Sequence, residues 1–196
     1  YNNPAIILAD GIIGQMMEKV VLPPFRPRGT EEEIRKQMPW ATQGKLAGHK
    51  RNVITSLELD PAIMEENNIR FQAKYRKIEE AEVRYEEIGC ENADYLMIAF
   101  GSMARICLKT QEMALAEGIK VGVLRPITLW PFPSKIIAEY ANKVKGMISV
   151  ELNAGQMVED IRLAVNGKVK VEHFGRLGGI VPTPDEVLNA LKQKLM

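Results

Sequence analysis

The chain has 196 residues, 46% of them hydrophobic and 26% charged, ordinary globular proportions at a length that buries a proper core. Its 26 basic and 25 acidic residues leave a net charge of +1, which excludes a long-range pull on nucleic acid or on an anionic membrane. Two cysteines (Cys90 and Cys107) and two distant histidines (His49 and His173) exclude a disulfide scaffold, a self-contained iron–sulfur site and a protein-built zinc site. No apolar run reaches the roughly 20 residues that span a bilayer. The opening residues lack the basic stretch and cleavage site of a secretory signal, so the expectation is a cytoplasmic protein with neither nucleic-acid nor membrane partners.

In chain order, the first feature is an apolar run, Ala5 to Ala9, closed by Asp10-Gly11. It reads as a buried strand, which normally needs neighbours on both sides. Nothing upstream supplies them, so the expectation is a fragment cut close to the end of a preceding domain. Pro23, Pro24, Pro27 and Gly29 then mark an irregular loop. Thr30 with Glu33 is placed for a capping box, and a basic stretch runs from Gly44 to Arg51. Asp60-Pro61 starts a long charged helix, Ala62 to about Glu87. Its narrow apolar stripe (Met64, Phe71, Tyr75, Ile78, Tyr85) suits a rod that bridges domains or lies on a partner.

From Asn92 onward strands and helices alternate. Tyr95 to Phe100 reads as a strand, Met103 to Glu117 as a helix stopped by Gly118, and Lys120 to Leu124 as the next strand. After the proline-rich turn Trp130 to Pro133 comes a helix to about Val144. The strand Gly146 to Val150, the helix Gln156 to Val165, the strand Lys168 to His173 and the helix Asp185 to Leu195 complete the pattern. This order predicts a three-layer α/β fold, a mainly parallel sheet with helices on both faces.

Four segments are candidate sites. Gly101-Ser102 lies at a strand-to-helix turn, where free N–H groups favour an anion; the plainer account is a tight turn and a helix cap, since only one glycine of the dinucleotide fingerprint is present. Glu151 to Gln156 carries Asn153 and Gln156 to the same sheet edge, either to cap the next helix or to meet another domain or subunit. Gly175 to Pro182 lacks the lysine of a phosphate loop and reads as a plain connection. Gly44 to Arg51 reads as a solvated loop rather than an acid-binding one. No nucleophile–base arrangement or catalytic carboxylate pair stands out.

Taken together the segments resemble one family. Asp10 to Glu18 is similar to the end of the pyrimidine-binding domain of 2-oxoacid:ferredoxin oxidoreductases. Ile54 to Pro61 resembles the linker of their branched-chain (2-oxoisovalerate) branch. Gly101-Ser102, Leu124 to Pro133, Glu151 to Gln156 and Gly178 to Pro184 resemble successive landmarks of the transketolase-C-terminal-like domain. The resemblance divides the chain into residues 1–20, the end of the pyrimidine-binding domain; 21–91, a linker; and 92–196, the C-terminal-type domain of an α-type subunit.

The resemblance also implies a holoenzyme that uses thiamine diphosphate, magnesium, iron–sulfur clusters and CoA, with thiamine-binding and ferredoxin-like subunits and ferredoxin as partners. The groups that hold those cofactors lie elsewhere, so no catalytic, cofactor-binding or metal-binding residue transfers to this chain. Asp10, Gly11, Gln15, Gly101, Ser102, Asn153 and Gln156 are expected to make domain or subunit contacts. The competing expectations are a nucleotide-binding module and a protein-interaction module.

Overall fold

The computed structural model describes residues 1–196 except 42, 43, 45–47 and 49. Half of the basic stretch from Gly44 to Arg51, His49 included, therefore lies outside the described residues. Two compact units are present, residues 1–16 with 74–196, and residues 17–73.

The larger unit is built on a five-stranded sheet in the order β1-β3-β2-β4-β5, with β1 (Tyr85–Ile88), β2 (Tyr95–Ile98), β3 (Val121–Pro126), β4 (Gly146–Glu151) and β5 (Lys170–Gly175). β2 to β5 run parallel, and β1 is antiparallel at one edge. Alternation along the strands sends Met97 and Ala99 to one face, and Leu96 and Ile98 to the other. On the first face α4 (Gly101–Ala116) and α7 (Pro184–Leu195) bring Met103, Cys107, Val187 and Leu191 onto Val123, Ile148 and Val150. On the second, α5 (Ser134–Tyr140) and α6 (Met157–Val165) bring Ile137, Ile161 and Val165 onto Leu96, Leu124 and Met147. Leu96, Met97, Ile98, Ile148, Ile161 and Leu191 are fully buried. A sheet covered on both faces by crossover helices is the three-layer fold expected from the alternation.

Local signals account for the helix ends. Gly118, at φ +77°, ends the turn after α4. Thr183 and Glu186 form a capping box at α7, with Pro184 in its first turn.

Two elements differ from the sequence expectation. The charged helix, α3 (Pro61–Ala81), ends about six residues short of Glu87, and the chain continues as the edge strand β1. Pairing with β3 overrides the helical stripe: Tyr85 lies opposite Pro126 and Ile88 opposite Val123. Gln111 of α4 fastens the edge, its Nε2 donating to the Ile88 and Val121 carbonyls at 2.8 and 2.9 Å. The second difference concerns Ala5 to Ala9, which forms no strand. Ile6, Ile7 and Leu8 are 82%, 95% and 71% exposed, because no strand of the sheet lies beside them. Hydrophobicity marked the run but did not provide its partner.

In the smaller unit, α2 (Glu31–Gln37) starts with the predicted capping box: the Glu33 N–H donates to Thr30 Oγ1, and the Thr30 N–H to Glu33 Oε2. Within this unit Asp60 caps the start of α3, accepting from the Ala62 N–H at 2.8 Å.

Candidate functional site

Parallel α/β sheets meet ligands at the carboxyl ends of their strands, where helix N-termini offer free N–H groups. In the larger unit that edge carries the start of α4 after β2 and the start of α6 after β4. Both are occupied by carboxylates of the chain itself.

At α4 the carboxylate is Asp10. Its Oδ1 accepts from the Ile13 N–H at 2.8 Å, which makes it the N-cap of α1 (Gly11–Gln15). Its Oδ2 accepts from the Ser102 N–H at 3.3 Å, in the first turn of α4. One side chain thus serves two helix starts. Gly101 makes this approach possible: its φ is +58°, and a Cβ there would lie 3.3 Å from Asp10 Oδ2. The buried Ser102 hydroxyl lies beside the same carboxylate. Burial raises the Asp10 carboxyl pKa, but hydrogen bonds from Ile13 and Ser102 outweigh this and hold it below the usual range.

At α6 the carboxylate is Glu151, the last residue of β4, whose side chain is fully buried. It accepts from the N–H groups of Gln156 (3.2 Å), Met157 (2.8 Å) and Val158 (3.0 Å), and from Ser149 Oγ (2.7 Å). Burial again works against the charge, and these donors, Ser149 first, prevail and lower the pKa. His173 Nδ1 stands 3.5 Å from Glu151 Oε1. The backbones here are in close contact: a Cβ on Gly175 would lie 2.2 Å from the Asn153 carbonyl oxygen. A buried charge satisfied by a helix N-terminus and a hydroxyl is a stable arrangement, and it uses the donors that an incoming anion would need.

Between the two carboxylates lies a cleft of about 240 Å³, lined by Leu8, Ile13, Phe100, Met103, Leu152 and Asn153 among others. Gly101, Ser102 and Asn153 lie at one edge, where their positions after strands placed them, and Asp10 joins them there. Asn153 is engaged in its own turn, Oδ1 accepting from the Gly155 N–H at 2.7 Å. Gly11, Gln15 and Gln156 are exposed. Capping of the next helix was one of the two readings of Glu151 to Gln156; that Glu151 itself fills that helix start depends on the turn geometry of Asn153 to Gly155. In the connection Gly175 to Pro182, Gly178 and Gly179 take left-handed φ values of +64° and +85° with open space around them, as a plain turn requires.

The chemistry of the donor sets does not fit the larger cofactors. Cys90 and Cys107 are buried; burial pushes the Cys90 thiol up to about 11 and Cys107 higher still, the reverse of a cluster-binding thiolate. Among the described residues no group of three His, Cys, Asp or Glu side chains is placed to hold a metal ion. A diphosphate at the α4 or α6 start would face Asp10 or Glu151. No helix among the described residues is long and apolar enough to cross a membrane.

Residues 93–187 match the family model of pyruvate:ferredoxin oxidoreductase core domain II. The chain is 43% identical over 193 residues to the ketoisovalerate oxidoreductase subunit VorB of Methanothermobacter thermautotrophicus, a match covering 98% of this chain and 53% of that protein. It is 28% identical over 217 residues to the 2-oxoglutarate synthase subunit KorA of Methanothermobacter marburgensis, covering 97% and 56%. The 2-oxoglutarate:ferredoxin oxidoreductase of Magnetococcus marinus, solved with 2-oxoglutarate, coenzyme A and succinyl-CoA bound, matches with a TM-score of 0.62 at 26% identity, over 71% of this chain and 24% of that one. A split-gene transketolase, solved as an inactive β4 tetramer, shares the fold with a TM-score of 0.50 at 20% identity, over 57% and 41%.

Sheet order and helix placement thus define an α/β domain of the transketolase-C-terminal type. The chain belongs to the 2-oxoacid:ferredoxin oxidoreductase family. It spans about half the length of the curated relatives it matches.

Proposed function

We propose that this chain is the architectural, non-catalytic portion of an α-type subunit in a thiamine-diphosphate-dependent 2-oxoacid:ferredoxin oxidoreductase. The enzyme decarboxylates a 2-oxoacid oxidatively, forms the acyl-CoA and reduces ferredoxin in the cytoplasm. Its substrate is a branched-chain 2-oxoacid, a choice supported by the 43% identity to a ketoisovalerate oxidoreductase subunit. Thiamine diphosphate, magnesium, iron–sulfur clusters and CoA are held by other domains and by the thiamine-binding and ferredoxin-like subunits. Residues 1–20 belong to the end of the pyrimidine-binding domain, 21–91 to a linker, and 92–196 to the C-terminal-type domain, to which strand β1 adds its pairing.

The observation that carries this reading is the filling of both strand-end helix starts by Asp10 and Glu151. An edge whose anion-binding donors are already engaged supports a role in holding neighbouring domains, since thiamine sites form where domains meet. The same observation speaks against a nucleotide-binding module. Calorimetric titration of the chain with thiamine diphosphate and Mg²⁺ tests the reading: no saturable heat is expected, and micromolar binding contradicts it.

A further inference from the structure

We infer that the amino-terminal edge of the sheet is a docking surface for a carboxylate-rich protein. This goes beyond the proposed function, which concerns the opposite edge, and rests on the placement of charge alone.

In a parallel sheet the residues that precede the strands gather along one edge. Here four strands start in register, with Tyr95 beside Val121 and Gly146, and Gly146 beside Lys170. Lys120 and Lys145 immediately precede β3 and β4, Lys168 and Lys170 lie at the start of β5, and Lys143 follows α5. α7 ends over the same edge, where a Cβ on Gly146 would lie 2.9 Å from the Leu195 side chain, and it brings Lys192 and Lys194. Seven of the nine lysines from residue 92 onward therefore share this edge. All but Lys192 are exposed. At a strand spacing of about 4.8 Å, the row from Lys120 to Lys170 covers about 14 Å.

Helix dipoles account for only part of this row. Lys192 and Lys194 sit in the last turn of α7, where a cation is favoured. The last turns of α4 and α5 hold no basic residue, and strand starts have little dipole to neutralise. Lys120, Lys143, Lys145 and Lys168 are left without that explanation.

The edge already shows the partner chemistry it takes. Lys145 holds Asp94 at 2.8 Å, Lys170 holds Glu172 at 3.2 Å, and Lys192 holds Glu117. The Lys145 hydrogen bond, with the charges of Lys145 and Lys120, keeps the Asp94 carboxyl below its usual range. Lys120, Lys168 and Lys194 are in no ion pair among the described residues. Arginine suits phosphate recognition better, through its bidentate fork, and none precedes β2 to β5. A chain of net charge +1 also exerts little long-range pull on an extended polyanion. A local row of lysines instead steers and orients an encounter with an acidic protein surface.

The test is fluorescence anisotropy of labelled poly-L-glutamate titrated with the full chain. Saturable binding is expected at about 0.01 M ionic strength, and affinity should fall about tenfold at about 0.15 M, as the range of the charges shrinks from about 30 to about 8 Å. Lys120→Glu combined with Lys168→Glu should weaken binding about tenfold, and Lys120→Gln with Lys168→Gln about threefold. Lys109→Glu with Lys135→Glu changes the net charge equally but lies off this edge, in the middle of α4 and the first turn of α5. That pair should leave the affinity within about twofold. Equal losses in the two Glu pairs, wild-type affinity in the Gln pair, or no binding by the wild type overturns the docking surface. Duplex DNA or anionic phospholipid vesicles that bind the wild type as tightly, with the same dependence on Lys120 and Lys168, overturn the assignment to a carboxylate-rich protein.

Discussion

Glu151 is the residue on which the strand-end edge depends most. Its buried carboxylate accepts from three consecutive N–H groups at the start of α6 and from the Ser149 hydroxyl. Glu151→Ala should cost roughly 2–4 kcal/mol in denaturant unfolding, a lost cap together with buried donors left unsatisfied. The acid side of the stability profile has the same origin. Because the folded pKa of Glu151 is lowered, its contribution is complete above the ordinary carboxyl value of about 4.3. It is lost as the pH falls through the lowered folded value, since the unfolded chain then binds the proton more readily. Glu151→Gln should therefore flatten the decline in stability on the acid side while lowering stability near neutrality. An unchanged acid profile would remove Glu151 from this account.

Elements were legible in the sequence where local signals and tertiary demand agreed. The apolar runs of β2, β3 and β4, the alternation in β5, the glycine stop after α4 and the proline at the start of α7 each predict what is present. β1 was hidden because Tyr85, Glu86, Glu87 and Ile88 continue a helical spacing, and only their pairing with β3 distinguishes them. Charged residues on an edge strand are a common guard against further pairing, so their polarity disguised the strand. The Gln111 bridge is likewise invisible locally, since its two acceptors lie 23 and 10 residues away in sequence. Gln111→Leu keeps the volume but leaves the Ile88 and Val121 carbonyls without this donor. Loss of roughly 1–2 kcal/mol is expected, with hydrogen exchange accelerated in β1 before the central strands. Uniform acceleration across the sheet would show that Gln111 supports the core rather than the edge.

At the scale of the molecule, the class of fold followed from the order of elements, and Gly101 and Ser102 were candidates by the strand-end rule, whereas Asp10 was a candidate only through the family resemblance. How those residues use one another followed from neither. A turn with free N–H groups reads the same whether a phosphate or an internal carboxylate fills it, and 91 residues separate Asp10 from Gly101. The exposed run Ile6 to Leu8 shows the same limit, because apolarity signals a need for a partner without naming one. The proposed function assigns such a chain, whose anion-receiving edge is satisfied from within and whose buried thiols are unsuited to bind a cluster, a chemical role only through its neighbours.

Reconstitution with those neighbours is the most direct measurement. The subunit containing this chain, the thiamine-binding subunit and the ferredoxin-like subunit are to be purified separately, and 2-oxoacid-dependent ferredoxin reduction followed for each and for the mixture. Activity is expected only in the mixture and highest with 2-oxoisovalerate. Turnover by this chain alone, or a complete mixture inert toward every 2-oxoacid, would contradict the account.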